Sequence, residues 1–274
     1  MKLHKEGYKM FYELTRLRIG TLQVIFVVVA MVMAFAVSTH ADLSDPTLSV
    51  YYNFDEDGDT VKDGSIHGND GTIEGKSQRE KGVFGKAVVL EPNTWVNLNG
   101  PEFENAPVEG FTLAVWVNHN DSPEPQSIFD AIGTDHASGL FHVEIRPAGF
   151  RWFHRDGAQA EVFNINPGPV IDGGEWVHFT GTYDSKSGDV KTYVDGKMTH
   201  EAKGKGELSD NWGVSAAIGH HKNGRWFDGL MDEFYIFGRA LSEDEIKEVM
   251  DGEFLSVEPA NKLATTWGSI KSKR

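Results

Sequence analysis

Between Leu48 and Phe237 the sequence never settles into a helical period. It runs as LSVYYNF, KAVVLE, WVNLN, FTLAVWVN, SIFDAI, LFHVEI, EWVHFTGTY, DVKTYV and LMDEFYIF, with Gly, Asn, Asp or Pro between one stretch and the next. Short apolar or alternating runs separated by turn residues confine the chain to an antiparallel sandwich or barrel. The clearest hairpin is Asp195-Gly196 between KTYV and KMTHEA, because Asp-Gly supplies the positive φ angles of a tight primed turn. No fixed-period repeat appears, and nothing alternates strand with helix. One helix is expected, from Glu243 to about Met250. Ser242 caps its first amides, Glu245 completes a capping box, and Gly252 ends it.

The two ends of the chain read differently. Lys2, Lys5, Lys9, Arg16 and Arg18 precede the apolar run Ile19 to Val37, and a small residue, Ala41, follows. A basic start, an apolar middle and a small-residue exit describe an export signal. Residues 1–41 are therefore read as a signal peptide cleaved near Ala41. The alternative is a signal anchor that leaves the rest of the chain outside the membrane. Residues 42–252 form the domain. Residues 253–274 lose all pattern and read as a disordered tail, with Trp267 the one residue in it suited to anchor a partner.

The chain has 26 basic and 41 acidic residues; five basic and two acidic ones lie before residue 42, leaving 21 against 39 in the remainder. That surplus of acid argues against nucleic acid as a partner, which needs clustered Lys and Arg. There is no cysteine. An exported domain without disulfides needs a large core, a bound metal, or both.

Four segments, in order, resemble the laminin-G-like, concanavalin A-like jelly-roll domains. YYNFDEDGDTVKDGSIHGNDGTIEG is similar to their opening strand and Asp/Gly/Asn-rich loop, and GFTLAVWVN to a central strand. EWVHFTGTYDSKSGDVKTYVDGK is similar to their distinctive hairpin, and GLMDEFYIFGRALSEDEI to the closing strand and short helix. The resemblance spans residues 48–252 and implies an all-β jelly roll of two antiparallel sheets. It says less about function, since this fold carries lectins, glycan hydrolases and adhesion modules.

The closing strand holds an anomaly. Strict alternation puts Met231, Glu233, Tyr235 and Phe237 on one face and Leu230, Asp232, Phe234 and Ile236 on the other. Asp232 would then point into the core, where an unpaired charge costs several kcal/mol. Glu233 would lie outside and need no explanation. Asp63, Asn69 and Asp70, with Gly64, Gly68 and Gly71, offer the oxygens of a flexible loop, and with Asp232 they make a set that calcium accepts. The resemblance implies the same: Asp63 and Asn69 match the family's loop ligands and Asp232 its strand ligand, for a structural calcium. His67 and Asp70 would contribute backbone or shape. The alternative is that Asp232 accepts hydrogen bonds from loop amides and the loop is an ordinary acidic turn. DEDGD at Asp55 to Asp59 lacks the glycine and closing glutamate of an EF-hand.

Catalysis finds no support in the sequence. Relatives that hydrolyse β-glucans carry Glu-x-Asp-x-Glu on one strand face, and a retaining glycosidase needs two carboxyls about 5 Å apart. Here Glu144 in HVEIRP stands alone, and no nucleophile motif is present. A recognition module for a glycan or an extracellular protein is the expected function. Aromatic rings beside polar loop groups would supply a sugar platform. The candidates are Trp152 in FRWFHRD, Trp212 in DNWG, and His220, His221, Arg225 and Trp226 in GHHKNGRWFDG. Trp152, Arg225 and Trp226 are the expected ligand contacts. His220 and His221 make a poor metal chelate as a pair, since neighbours in a strand face opposite ways.

Overall fold

The computed structural model describes residues 42–132, 140–212, 215–222 and 224–253. The leader, the tail and Trp267 lie outside the described residues. Numbered in chain order, the first sheet contains β1 (Leu48–Tyr52), β4 (Arg79–Lys81), β5 (Lys86–Leu90), β7 (Gly110–His119), β12 (Val177–Asp184), β13 (Asp189–Val194), β14 (Lys197–Lys203) and β16 (Gly229–Phe237). The second contains β2 (Thr60–Val61), β3 (Gly71–Glu74), β6 (Trp95–Asn97), β8 (Gln126–Ile132), β9 (Leu140–Ile145), β10 (Arg151–Arg155), β11 (Glu161–Ile165) and β15 (Ser215–Ile218).

The first sheet runs β14-β13-β12-β7-β16-β5-β4, with β1 also paired to β16; the second runs β11-β10-β9-β8-β15-β6-β3-β2. Neighbours far apart in sequence, such as β7 beside β16, pair antiparallel, as a jelly-roll-like sandwich requires. The Asp195-Gly196 hairpin forms as expected, with Val194 opposite Lys197 and both turn residues at positive φ (48° and 69°).

Period-two alternation fills the space between the sheets with Phe111, Phe129, Phe141, Trp152, Phe163, Phe179, Phe234 and their aliphatic neighbours. Trp152 stacks on Phe111 with ring centroids 5.3 Å apart and planes 6° apart. The strand opposite it carries Gly181 on β12, where a Cβ would lie 2.5 Å from the indole.

The helix α1 (Glu243–Met250) has the expected capping box between Ser242 and Glu245, and Gly252 follows at φ 68°. Its Ile246 and Val249 pack on Leu48, Tyr51, Ala114, Tyr193, Tyr235 and Phe237, a second apolar cluster apart from the inter-sheet core. Arg239 secures this corner, donating to Asp45 Oδ2 at 2.8 Å and to Glu245 Oε1 at 2.7 Å.

The closing strand departs from strict alternation. The register of β16 against β7 shifts between Asp232 and Tyr235, and Glu233 sits at φ 51°. This is a β-bulge, in which one extra residue bends the strand and re-aims its side chains. Met231 therefore joins Phe234 and Ile236 in the inter-sheet core, while Tyr235 and Phe237 face the helix-covered cluster. Asp232 meets the turn between β4 and β5. Glu233, expected on an open outer face, is 2% exposed and buried with the tyrosines.

Candidate functional site

The residues expected to hold calcium make two separate sets of hydrogen bonds. Asp63 and Asn69 are together in the N-terminal loop. Asp63 Oδ1 accepts from the amides of Tyr51 and Ser65, and its Oδ2 accepts from Ser65 Oγ and the Asn69 amide. The Asn69 side chain donates to the carbonyls of Ser49 and Glu104, and its Oδ1 accepts from the Glu104 amide. Asp232 has other partners: its Oδ2 accepts from the amides of Val83 and Phe84 at 2.9 and 3.0 Å, and its Oδ1 from that of Glu233 at 3.0 Å. No hydrogen bond joins Asp232 to Asp63 or Asn69. With four donors on Asp63 and three on Asp232, this set does not fit a cation without breaking bonds the fold already makes. Both acids do accept backbone amides, as the alternative reading of the sequence expects.

The expected ligand contacts divide as well. Trp152 is fully buried between Phe111 and Phe163 and offers no ring face to a ligand. Alternation along β10 turns it inward. Trp212 is a core residue too. Trp226 and Arg225 remain partly exposed on the outer side of the second sheet. There Trp226 stacks on His220 (4.3 Å, 20°) and approaches Trp95 of β6 (5.6 Å), while His220 lies 5.1 Å from Trp95. All three rings are half-buried, and together they form an aromatic platform. Trp95 was not singled out from the sequence, although Val96 inward puts its neighbours Trp95 and Asn97 outward.

Pairing across the second sheet builds the rest of this face. One cross-strand row runs from Asn164 through Phe153, His142, Asp130 and Ala217 to Asn97. The adjoining row puts Arg151 opposite Glu144. The loop after β15 folds over these rows and brings His221 onto His142, rings 4.9 Å apart and 18° from parallel. The two adjacent histidines do diverge: His220 goes to the tryptophans and His221 to the polar cluster.

Glu144, alone in its motif, is the hub of that cluster. Its Oε1 lies 2.9 Å from His142 Nδ1 and accepts from Arg225, and its Oε2 accepts from Arg146 Nε (2.9 Å) and Nη2 (2.6 Å). Burial pushes its carboxyl up, but the His142 hydrogen bond, Arg146 and Arg225 outweigh this and hold it well below the usual range. Asp130 is the opposite case. Burial, reinforced by the Glu144 charge, pushes it well above the ordinary carboxyl range. Burial also lowers both histidines, His142 against its bond to Glu144 and His221 to about 4. Arg151 packs its guanidinium 4.2 Å over the Phe153 ring, and Arg155 approaches the same ring at 5.4 Å. Beside Arg146 a groove of about 150 Å³ opens between His119, Gln126 and Ile171.

Comparison with known proteins adds the lineage. No curated protein matches the chain. Among solved structures, domain 4 of AbnA, a GH43 extracellular arabinanase from Geobacillus stearothermophilus, in complex with arabinotriose, aligns with a TM-score of 0.59 and 21% identity, over 74% of this chain and 98% of that one. Botulinum neurotoxin type C, whose cell entry depends on interaction with two ganglioside molecules, aligns at 0.57 and 18%, over 75% of this chain and 51% of the other. The binding domain of botulinum neurotoxin DC in complex with rat synaptotagmin II aligns at 0.55 and 18%, over 75% and 51%. The chain thus spans about half the length of the toxin structures. At these identities the likeness is one of fold. The model of the concanavalin A-like lectin/glucanases superfamily matches residues 90–247, more than half of the chain. Together with the two-sheet jelly roll, its bulged closing strand and its capped helix, that match establishes that the chain belongs to the concanavalin A-like lectin/glucanase superfamily.

Proposed function

We propose that the domain is an exported recognition module that binds, without cleaving, an acidic glycan on the outer face of its second sheet. The observation that carries this reading is the half-exposed Trp95–His220–Trp226 platform beside a concentration of arginine. Six arginines fall among the described residues, and four of them, Arg146, Arg151, Arg155 and Arg225, belong to this one face of an acidic protein. Guanidinium groups pair bidentately with carboxylate and sulfate-like anions, and aromatic rings stack on sugar faces. The side chains of Arg146, Arg151 and Arg225 remain 24%, 17% and 30% exposed, so donors not used by Glu144 can reach a ligand.

Glu144 is a poor candidate for a catalytic base, since His142, Arg146 and Arg225 already occupy it. Export is supported by the basic-then-apolar leader at residues 1–41. The arabinotriose complex and the ganglioside-dependent toxin show that proteins of this fold hold sugars. The synaptotagmin complex makes a protein receptor the second reading.

The test is an array of neutral, uronate-bearing and sulfated glycans probed with the full chain and with Trp226→Ala and Trp95→Ala. Retention of acidic glycans is expected, weakened about tenfold or more in either variant, equivalent to about 1.4 kcal/mol. Glycan binding that ignores both substitutions would remove the platform from the site. Folded protein that binds no glycan would leave a protein receptor as the reading to pursue.

A further inference from the structure

Asp130, His142 and His221 each offer one ligand atom, and the three atoms lie within 4.8 Å of one another. All three residues are buried, at 1%, 4% and 5% exposure. They come from three separate places in the chain: Asp130 from β8, His142 directly opposite it on β9, and His221 from the loop after β15.

What singles out the group is Asp130. Both its carboxylate oxygens are buried and neither has a hydrogen-bond partner. Each other acid described above at a buried position accepts hydrogen bonds, Glu144 from guanidiniums, Asp232 from amides and Glu233 from tyrosine hydroxyls. A lone buried carboxylate is unstable by several kcal/mol unless a proton or a cation discharges it. The spacing separates these two cases. Asp130 Oδ2 lies 3.6 Å from His221 Nε2 and 4.0 Å from His142 Nδ1. A protonated carboxyl donating to an imidazole would draw it to about 2.7–2.9 Å. Ligand atoms sharing a tetrahedral zinc ion, with bonds of about 2.0–2.1 Å, stand about 3.3 Å apart. The observed separations are longer than a hydrogen bond and approach the second spacing, within reach of a small ring rotation.

We propose that Asp130, His142 and His221 form a binding site for a divalent transition metal ion of the zinc type. Two imidazoles and one carboxylate are the donors such an ion prefers, whereas calcium selects all-oxygen sets. Glu144 Oε1 lies 2.9 Å from the same nitrogen, His142 Nδ1, that faces Asp130, so metal binding there would replace that hydrogen bond and leave Glu144 to Arg146 and Arg225.

Arg225 is the competing cation, with Nη1 3.1 Å from His142 Nδ1. Its charge is matched by Glu144, to which it is bonded, and it makes no bond to Asp130. The ion would tie the loop after β15 to the sheet. That loop carries Arg225 and Trp226, so the metal would organise the recognition face from beneath.

The experiment uses the full chain, stripped of metal with a chelator that is then removed, and titrated with zinc chloride by calorimetry and with cobalt(II) by visible absorption. One equivalent of zinc is expected, with the intense d–d bands of cobalt in a low-symmetry nitrogen/oxygen site. Asp130→Asn, which keeps the shape of the side chain, and His221→Gln should each weaken zinc at least tenfold. His200→Gln, on an exposed strand, should leave it unchanged. Folded wild-type chain that binds no zinc, or zinc held equally well by both variants, would overturn the site. The cobalt spectrum needs no variant, so its absence counts against the site even if a substituted chain fails to fold. None of these readings involves a glycan.

Discussion

The Tyr51 hydroxyl donates to Glu233 Oε2 over 2.8 Å, across 182 residues of sequence, and the Tyr235 hydroxyl donates to the same oxygen at 2.6 Å. The two tyrosine rings stack 4.5 Å apart and lie beneath the helix α1. The bulge at Glu233 thus delivers a carboxylate to a site already furnished with donors. Burial pushes that carboxyl up, while the tyrosine hydroxyls oppose the rise.

Glu233→Ala is expected to destabilise the domain by about 2–4 kcal/mol, because two buried hydroxyls lose their acceptor. Tyr51→Phe removes one donor and should cost about 1–2 kcal/mol. Urea unfolding of the three chains gives the comparison. Equal midpoints would mean that the cluster is wetter than its geometry shows.

Asp232→Ala strands the amides of Val83, Phe84 and Glu233, and a loss of about 2–3 kcal/mol is expected. Thermal scans with a chelator and then with excess calcium should give the wild-type chain one melting temperature, since Asp63 and Asp232 are already occupied by protein donors. A ligand that binds only the folded state raises that temperature by mass action. A calcium-dependent rise that disappears in Asp232→Ala would reinstate the calcium ion that the family resemblance implies.

These two acids mark where sequence reasoning succeeded and where it stopped. Strands, the Asp195-Gly196 hairpin and the Ser242–Glu245 capping box are local, and each was legible from a few neighbouring residues. The bulge was not: nothing in LMDEFYIF states that Met231 and Phe234, three apart, face one core, because β7 imposes the slip from across the sheet. The polar face was hidden for a similar reason. Alternation in LFHVEI already turned His142 and Glu144 away from Phe141 and Val143. Asp130 in SIFDAI was the same kind of anomaly as Asp232. Only strand order reveals that these residues are neighbours and that Arg225 and His221 close over them. Trp152 failed the other way, since a polar-flanked tryptophan reads as a platform until its inward register is known.

Gly181→Ala tests that register. The added Cβ would stand 2.5 Å from the Trp152 ring, which is itself held by Phe111 and Phe163 and cannot retreat. Overpacking of this kind costs about 1–3 kcal/mol, and a lowered melting temperature is expected with glycan binding retained in the folded fraction. A neutral substitution would show that the indole has room to move.

His178 should set the acid limit of the fold. It is buried under the helix-side cluster beside Trp116, and its Nε2 has no hydrogen-bond partner. Burial alone pulls its pKa from 6.5 to about 3. A histidine depressed in the folded state binds its proton more readily when unfolded. Stability therefore falls as pH drops below 6.5 and levels off only near 3, by up to about 1.4 kcal/mol per pH unit. Asp232 works in the opposite sense. Burial, then the Glu233 charge, raise it to about 7 against its backbone hydrogen bonds, so its contribution is full below 3.8 and fades as pH rises through 7. Urea midpoints of wild type and His178→Gln between pH 4 and 7, about the span over which the two groups oppose each other, separate them. The variant should lose close to one proton of acid-side slope while the Asp232 slope stays. Parallel profiles would mean that His178 takes up its proton without the domain opening.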